Sequence, residues 1–224
     1  MHTCLFDIDG TLISTGGAGK QAMETALASA FGITQLTDAI SFAGRTDRAI
    51  TRDIFLHFGI EDSQQNWERF RSAYLEHLPI VLRERQGCVL PGIATLLAEL
   101  SERKDMTLAL LTGNTQAGAR HKLARYELDH YFEFGGFGDV HVDRCDVARD
   151  ALREVQQRAR GDVDLDRVWV IGDTIFDIQC GRSIGARVIA VATGAHTADQ
   201  LAAANPDCLI TDCSDLPRLR ALWS

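Results

Sequence analysis

The chain begins with an apolar segment, residues 3–6, that runs directly into two acidic residues, Asp7 and Asp9. The segment predicts a short buried strand, and a buried carboxylate without a partner is costly. Because side chains alternate along a strand, residues two apart can face one shared space. Gly10 then permits a sharp turn and Thr11 supplies a hydroxyl. Two carboxylates this close need a cation, a shared proton or both, although a simple polar turn is the alternative interpretation.

Length and composition restrict the class of protein. The chain has 224 residues, 46% of them hydrophobic and 24% charged, which is typical of a globular protein with one large domain or a domain carrying a smaller insert. A formal net charge of −8 argues against a nucleic-acid partner. A phosphate ligand remains compatible with this charge, because a bound metal ion can reverse the local field.

The absence of targeting signals favours a cytoplasmic protein without a membrane partner. The sequence has no apolar run of membrane-spanning length, and its N-terminus lacks the pattern of a signal peptide. Its six cysteines form no C-x-x-C pair, which is typical of reduced structural thiols. The sequence leaves the oligomeric state open.

Two patterns of periodicity divide the chain. Residues 20–85 keep helical spacing of apolar and aromatic side chains, which predicts a small helical bundle. Beyond residue 87, predicted helices (94–102, 116–126, 145–158) alternate with predicted strands (107–111, a weak one at 131–134, 168–171, 188–191). Continuous β-branched runs are typical of parallel strands covered on both faces.

This alternation predicts an α/β fold: a doubly wound, Rossmann-like parallel-sheet core with an inserted α-helical bundle as a cap. The predicted core comprises residues 1–13 and 87–224, and the predicted cap comprises residues 14–86. In such a sheet, ligands bind outside the carboxyl ends of the strands. The residues that follow each predicted strand are therefore the candidate functional residues.

Polar residues follow two further strands. Thr112, Gly113 and Asn114 come after the strand at 107–111, where a hydroxyl and a glycine amide at a helix N-terminus suit a phosphate group. A simple helix cap is the equal alternative. Asp173 and Asp177 follow the strand at 168–171, and Asp177 could merely cap the next helix or form a salt bridge.

Four segments of the chain resemble, in order, the four motifs of the haloacid dehalogenase-like superfamily. They are D-I-D-G-T, L-T-G-N, an interposed cation and G-D-T-x-x-D. The resemblance covers the whole chain, including the helical insert, and is greatest to phosphoglycolate phosphatase-like hydrolases. The third motif of that family usually carries a lysine. Lys20, Lys104 and Lys122 all lie away from this point, so Arg144 is the predicted substitute, with Arg149 as the alternative.

The resemblance implies a magnesium-dependent phosphatase that hydrolyses a small phosphate monoester through an aspartyl-phosphate. Asp7 would be the nucleophile, and Asp9 would protonate the leaving alcohol and then deprotonate the attacking water. Mg²⁺ would be held by the carboxylates of Asp7 and Asp173 and by the backbone carbonyl of Asp9.

The remaining site residues are also implied by the resemblance. Thr112, Gly113 and Asn114 would bind the phosphorylated substrate, Arg144 would balance charge on Asp7 and the phosphate, and Asp177 would support the metal ligands from behind. The presence of Asp9 argues against a dehalogenase, which has no ester oxygen to protonate.

Substrate choice is expected to depend on the cap. Its segment 42–47 is similar to the family's substrate-facing loop, where Arg45 would pair with a carboxylate of the substrate. An Arg–Asp pair that caps the helix at Thr46 is the equal alternative. A phosphomutase of the same fold and a catalytically slow phosphate-binding regulatory protein remain alternative functions, and the sequence does not name the metabolite.

Overall fold

The computed structural model describes residues 1–36, 40–159 and 162–223. Its centre is a sheet of six parallel strands: β1 (His2–Phe6), β4 (Met106–Leu111), β5 (Gly135–Gly136), β6 (Val168–Gly172), β7 (Arg187–Val191) and β8 (Cys208–Ile210). The strands lie in the order β5-β4-β1-β6-β7-β8. This is the order of a doubly wound sheet, and it confirms the predicted fold class.

Strand β1 occupies the middle of the sheet, and its register places Leu5 opposite Ala109 of β4 and Val170 of β6. After β1 the chain builds one half of the sheet outward through β4 and β5, and then returns to build the other half from β6. The reversal leaves a crevice at the carboxyl ends of β1 and β6, where doubly wound folds bind ligands.

Helices cover both faces of the sheet: α4 (Ile93–Glu102), α5 (Gln116–Arg125), α6 (Arg144–Ala159), α7 (Ile175–Ser183), α8 (Ala198–Ala203) and α9 (Leu216–Leu222). Neighbouring strand residues enter different cores. Phe6 and Trp169 belong to one buried cluster, whereas Leu5 and Val170 belong to the other. Because both faces are buried, the strands are continuously apolar rather than alternating.

In the part of the insert that the structure describes, three helices follow β1: α1 (Ala18–Phe31), α2 (Asp47–His57) and α3 (Gln64–Glu84). They enclose a separate hydrophobic core, which contains Phe55, Trp67, Phe70 and Tyr74. The rings of Phe70 and Tyr74 stack with their centroids 6.0 Å apart. These helices lie within the predicted cap, residues 14–86, whose bounds stay a prediction.

A short antiparallel ribbon joins the two chain segments that connect the core with the cap. Strand β2 (Ile13–Ser14) pairs with β3 (Cys88–Val89), and Ser14 lies opposite Cys88. The sequence did not predict this ribbon, because two-residue strands are too short to show periodicity.

Most predicted core elements differ from the observed ones by at most one residue at either end, but the weak strand at 131–134 is wrong. A 3₁₀ helix occupies Asp129–Tyr131, and β5 follows at Gly135–Gly136. Phe132 is partly buried and packs edge-to-face against Phe6 instead, with 5.9 Å between the ring centroids. The true strand uses glycine because the chains approach closely: a Cβ on Gly135 would lie 2.5 Å from the carbonyl oxygen of Leu110.

Within the described residues, no helix combines the length and apolar character needed to cross a membrane.

Candidate active site

Three buried carboxylates meet where β1 and β6 end. Asp7 follows β1, and Asp173 and Asp177 follow β6, with exposed fractions of 5%, 1% and 0%. One oxygen from each of the three lies within 4.8 Å of the others. The two strand ends predicted to carry acids are therefore brought together by the pairing of β1 with β6.

The protonation of this cluster is strongly perturbed. Burial raises the pKa of Asp7 to about 6; Asp177 and Asp9 add to the rise, and the Arg144 cation opposes it. Burial likewise raises the pKa of Asp173 to about 8, and the neighbouring carboxylates of Asp177 and Asp7 contribute further. Removal of the acids from water disfavours their charged forms, so a cation bound here would relieve a real electrostatic cost.

Asp177 is fully engaged by protein groups. Its Oδ2 accepts hydrogen bonds from the backbone N–H of Thr174 at 2.9 Å and from the Thr174 hydroxyl at 2.6 Å, which completes a capping box at the start of α7. Its Oδ1 accepts from Nη2 of Arg144 at 2.5 Å. Both alternatives weighed for Asp177, a helix cap and a salt bridge, are present at once.

Asp173 is held against the turn that follows β1. Its Oδ1 accepts from the Thr11 hydroxyl at 3.1 Å, and its Oδ2 accepts from the backbone N–H of Ala195 at 3.0 Å. Gly10 has φ 86°, and a Cβ there would lie 2.6 Å from Oδ2 of Asp173. Glycine is therefore required at position 10 both for the backbone conformation and for the close approach of the carboxylate.

Arg144, the first residue of α6, supplies a buried cation to the cluster. Its Nη2 lies 3.0 Å from Oδ1 of Asp7 and 2.5 Å from Oδ1 of Asp177. Burial opposes its charge, but Asp177 and Asp7 outweigh burial and raise the pKa of Arg144. The alternative residue, Arg149, is half exposed and pairs with Asp146 on the same helix. The structure thus places Arg144, and not Arg149, beside the predicted nucleophile.

Asp9 has a separate set of partners. Its Oδ2 accepts hydrogen bonds from Nδ2 of Asn114 at 2.8 Å and from Nζ of Lys122 at 2.6 Å. Nζ of Lys122 also donates to Oδ1 of Asn114 at 2.6 Å, so that the three side chains form a closed ring of hydrogen bonds. The Lys122 side chain is 5% exposed, whereas that of Asp9 is 40% exposed.

Sequence reasoning missed Lys122, which it considered only as a candidate for the third motif. One signal was available. Lys122 lies seven residues after Thr115, the N-cap of α5, and two helical turns place such residues on one face. A long side chain on a helix also leans toward the N-terminus, here toward the end of β4.

The turn after β4 brings the predicted phosphate-binding residues into the same crevice. The Thr112 hydroxyl, which is buried, accepts from Nδ2 of Asn114 at 2.8 Å. Gly113 meets the cap: a Cβ there would lie 2.0 Å from the carbonyl oxygen of Arg45. Thr112, Gly113 and Asn114 all line the cavity above Asp7.

The start of α2 docks the cap onto this turn. Thr46 caps α2 by accepting from the backbone N–H of Ala49 at 3.0 Å. The backbone N–H of Asp47 donates to the carbonyl of Gly113 at 2.7 Å, and Oδ2 of Asp47 accepts from the backbone N–H of Thr115 at 2.8 Å. Burial raises the pKa of Asp47 to about 6, against the opposing effects of Lys122 and the Thr115 N–H.

Arg45 lines the cavity but has a partner within the cap. Its Nη1 lies 2.5 Å from Oδ2 of Asp53, one of the residues of α2. An Arg–Asp pair is therefore present, as one of the two alternatives had it, although the helix cap itself is Thr46 alone. One nitrogen of the guanidinium is thus engaged within the cap, and a contact between Arg45 and a substrate carboxylate stays a prediction.

A cavity of about 420 Å³ lies between cap and core. Asp7, Asp9 and Arg144 line its core side, while its cap side carries the apolar side chains of Met23, Phe42 and Ile50 together with Tyr74. The Tyr74 hydroxyl is buried and has no hydrogen-bond partner among the described residues. Burial, with Asp47 and Asp9, raises the pKa of Tyr74, so the hydroxyl stays protonated and can donate into the cavity.

Comparisons with known proteins identify similar sequences and folds. Residues 4–191 match the model of the family described as haloacid dehalogenase-like hydrolase. The chain is 30% identical to a probable phosphatase, IndB, of Dickeya dadantii, over 95% of this chain and 90% of the relative. It is 28% identical to a phosphoglycolate phosphatase of Synechococcus elongatus, over 96% and 95% of the two chains.

Among solved structures, CbbY from Rhodobacter sphaeroides in complex with phosphate superposes with a TM-score of 0.76 at 21% identity, covering 96% of each chain. This likeness supports the fold alone, whereas the family match extends over most of the sequence. As its four motifs predicted, the chain belongs to the haloacid dehalogenase-like hydrolase family.

Proposed function

We propose that this protein is a magnesium-dependent phosphatase that hydrolyses a small phosphate monoester through an aspartyl-phosphate on Asp7. The observation that carries the proposal is the pairing of two buried cations with two reactive aspartates at one cavity. Arg144 contacts Asp7, and Lys122 contacts Asp9. Both curated relatives described above are named as phosphatases, which supports the same reaction class.

The donor set fits a magnesium ion. The carboxylates of Asp7 and Asp173 are hard oxygen donors in a buried cluster whose raised pKa values mark an unmet need for positive charge. These two carboxylates and the backbone carbonyl of Asp9 would hold the ion, while Asp177 would anchor Arg144 behind them. When bound, Mg²⁺ would neutralise charge on the phosphoryl oxygens.

In the first half-reaction a carboxylate oxygen of Asp7 attacks phosphorus. Arg144 contacts Oδ1 of Asp7, which leaves Oδ2 as the attacking atom. The bond from phosphorus to Oδ2 forms, the ester P–O bond breaks, and the departing oxygen takes a proton from Asp9. Thr112 and the Gly113 amide would bind the phosphoryl oxygens as charge shifts between them.

In the second half-reaction Asp9, now a carboxylate, removes a proton from water. The water oxygen bonds to phosphorus, the bond from phosphorus to Asp7 breaks, and inorganic phosphate leaves. The cycle returns Asp7 ionised and Asp9 protonated. One residue therefore serves as acid and then as base, which requires that its carboxyl face the cavity, as the 40% exposure of its side chain allows.

The cavity favours a small substrate. Its volume of about 420 Å³ lies toward the lower end of the range for small-molecule sites. Beyond the phosphate, the donors that line the cavity include the Tyr74 hydroxyl and Arg45, of which Nη1 contacts Asp53. Together with the phosphoglycolate phosphatase relative, this makes 2-phosphoglycolate the first ester to test.

The proposal is tested by a panel of phosphorylated metabolites assayed with Mg²⁺ and with excess chelator. We expect release of inorganic phosphate from at least one ester, abolished by the chelator and restored by Mg²⁺. Calcium should inhibit, because it prefers a larger and less regular oxygen shell. Full activity in chelator would contradict the metal requirement. Tight phosphate binding without turnover on the whole panel would favour a regulatory protein.

A further inference from the structure

Lys122 is the buried cation that the mechanism above leaves without a role. It lies in the second half of α5, and its ammonium reaches the cavity beneath the cap. Its hydrogen bonds go to Asp9 and Asn114, two residues of the site, at 2.6 Å each. A buried lysine costs free energy unless its charge is compensated, and here an acid of the site supplies the compensation.

The geometry of the ring distinguishes the two oxygens of Asp9. Lys122 and Asn114 both donate to Oδ2. Oδ1 receives neither of these bonds, so it is the oxygen left to carry a proton to the substrate. Lys122 also fixes the amide of Asn114, because it donates to Oδ1 of that residue and turns Nδ2 toward Asp9 and Thr112.

We propose that Lys122 is a positioning residue for Asp9. With Asn114 it clamps Oδ2 and thereby aims Oδ1 at the oxygen that leaves phosphorus. The inference rests on the proposed function, since it assigns to Lys122 a role in the acid–base chemistry of Asp9. Lys122 acts only through Asp9 and transfers no proton itself.

The role predicts a specific kinetic signature. An alkoxide leaving group needs a proton in the transition state, whereas p-nitrophenolate leaves readily without one. A residue that acts through the general acid therefore matters for alkyl phosphates and matters little for p-nitrophenyl phosphate. This contrast is measured in kcat/KM, which reports the steps up to transfer of the phosphoryl group.

The test compares Lys122→Met with the wild-type protein on an alkyl phosphate that the protein hydrolyses and on p-nitrophenyl phosphate. We expect kcat/KM to fall about 100-fold for the alkyl ester, the scale of a misplaced catalytic group, and only a few-fold for the aryl ester. Lys122→Gln keeps a neutral amide group that can donate hydrogen bonds, and it should recover part of the loss. It also serves as the test variant if Lys122→Met fails to fold. Lys104→Met, at an exposed lysine, is the matched control and should be silent.

A double-mutant cycle completes the experiment. If Lys122 acts through Asp9, adding Lys122→Met to Asp9→Asn should cost nothing further with the alkyl ester. Equal losses on both esters, or fully additive losses in the double variant, would overturn the inference in favour of a structural or substrate-binding role. If the wild-type protein hydrolyses neither ester, the proposed phosphatase function is refuted. If the wild-type protein is active but Lys122→Met loses the same activity on both esters, only the role of Lys122 is refuted.

Discussion

In each half of the site a cationic side chain pairs with an aspartate, but the two pairs differ in how far they are buried. The nucleophile side comprises Asp7, Arg144, Asp173 and Asp177; the acid side comprises Asp9, Asn114 and Lys122. On the nucleophile side the side chains of Asp7 and Arg144 are each 7% exposed, and one guanidinium nitrogen contacts both Asp7 and Asp177. On the acid side a flexible ammonium meets an aspartate whose side chain is 40% exposed to the cavity.

The difference follows from what each aspartate has to do. Asp7 must keep a fixed orientation and a free lone pair, and in a buried setting a fixed charge such as Arg144 acts strongly. Asp9 must exchange protons with an alcohol and with water, so it has to remain accessible. The planar fork of arginine suits the first task, whereas the compact lysine ammonium can hold one oxygen of Asp9 and leave the other open.

The largest effect is expected for Asp7→Asn, which removes the nucleophile. Turnover should be abolished with every ester, because an amide cannot form the acyl-phosphate bond. The folded structure should persist with an unchanged or raised melting temperature, since one of several crowded acids is removed. Steady-state assays and thermal melts check both expectations. Asp146→Asn, at an exposed acid paired with Arg149, is the control; activity near wild type in Asp7→Asn would refute covalent catalysis.

A smaller loss is expected for Arg144→Ala. The change should lower kcat/KM, and the loss should correspond to about 2–4 kcal/mol of transition-state stabilisation, as for removal of one preorganised donor. The loss should be similar for alkyl and aryl esters, because Arg144 serves the nucleophile and not the leaving group. Arg144→Lys should recover part of it, since one ammonium cannot reproduce the fork that meets Asp7 and Asp177.

Arg149→Ala is the control for this series and should be nearly silent. If Arg149→Ala were inactive and Arg144→Ala normal, the cation of the third motif would have been assigned to the wrong turn of α6. Normal activity in both variants would mean that the nucleophile side does not depend on an arginine of α6.

The sequence predicted more of the residues on the nucleophile side than on the acid side, and the reason is physical. Asp7 and Asp173 directly follow apolar strands, and parallel strands end at one edge, so their proximity follows from the fold class alone. Lys122 lies in the interior of α5, where a lysine usually covers a solvated face. The spacing from Thr115 indicates the face of α5 on which Lys122 lies, but its burial also depends on the cap, whose placement no local pattern encodes.

Contacts between cap and core were also beyond prediction from local sequence patterns. The hydrogen bond from the Thr115 amide to Asp47 joins the starts of two helices, α5 and α2, at positions 68 residues apart in the chain. Strand β5 was not predicted, because two glycines show no hydrophobic periodicity. Their lack of side chains nevertheless allows them to pack closely beside β4. Local patterns thus predicted the elements, and the packing of one unit on another determined the rest.

The smallest predicted effect concerns stability without metal, and it also separates the two sides. In the folded, metal-free protein the pKa of Asp7 is raised to about 6 and that of Asp173 to about 8, whereas the ordinary value is 3.8. The folded state therefore binds more protons than the unfolded chain over this range. The stability that these protons contribute is present at acidic pH and is lost as pH rises through the folded-state values.

In chelator, the melting temperature should therefore fall by several degrees between about pH 5 and pH 8. Added Mg²⁺ should raise it more at the upper end of that window, because the ion replaces the lost protons. Asp173→Asn should flatten the pH dependence and remove the stabilisation by Mg²⁺. Asn114→Ala, an uncharged change on the acid side, should alter neither the pH dependence of the melting temperature nor the stabilisation by Mg²⁺. A melting temperature in chelator that does not change across this window would show that the nucleophile side carries no buried electrostatic cost.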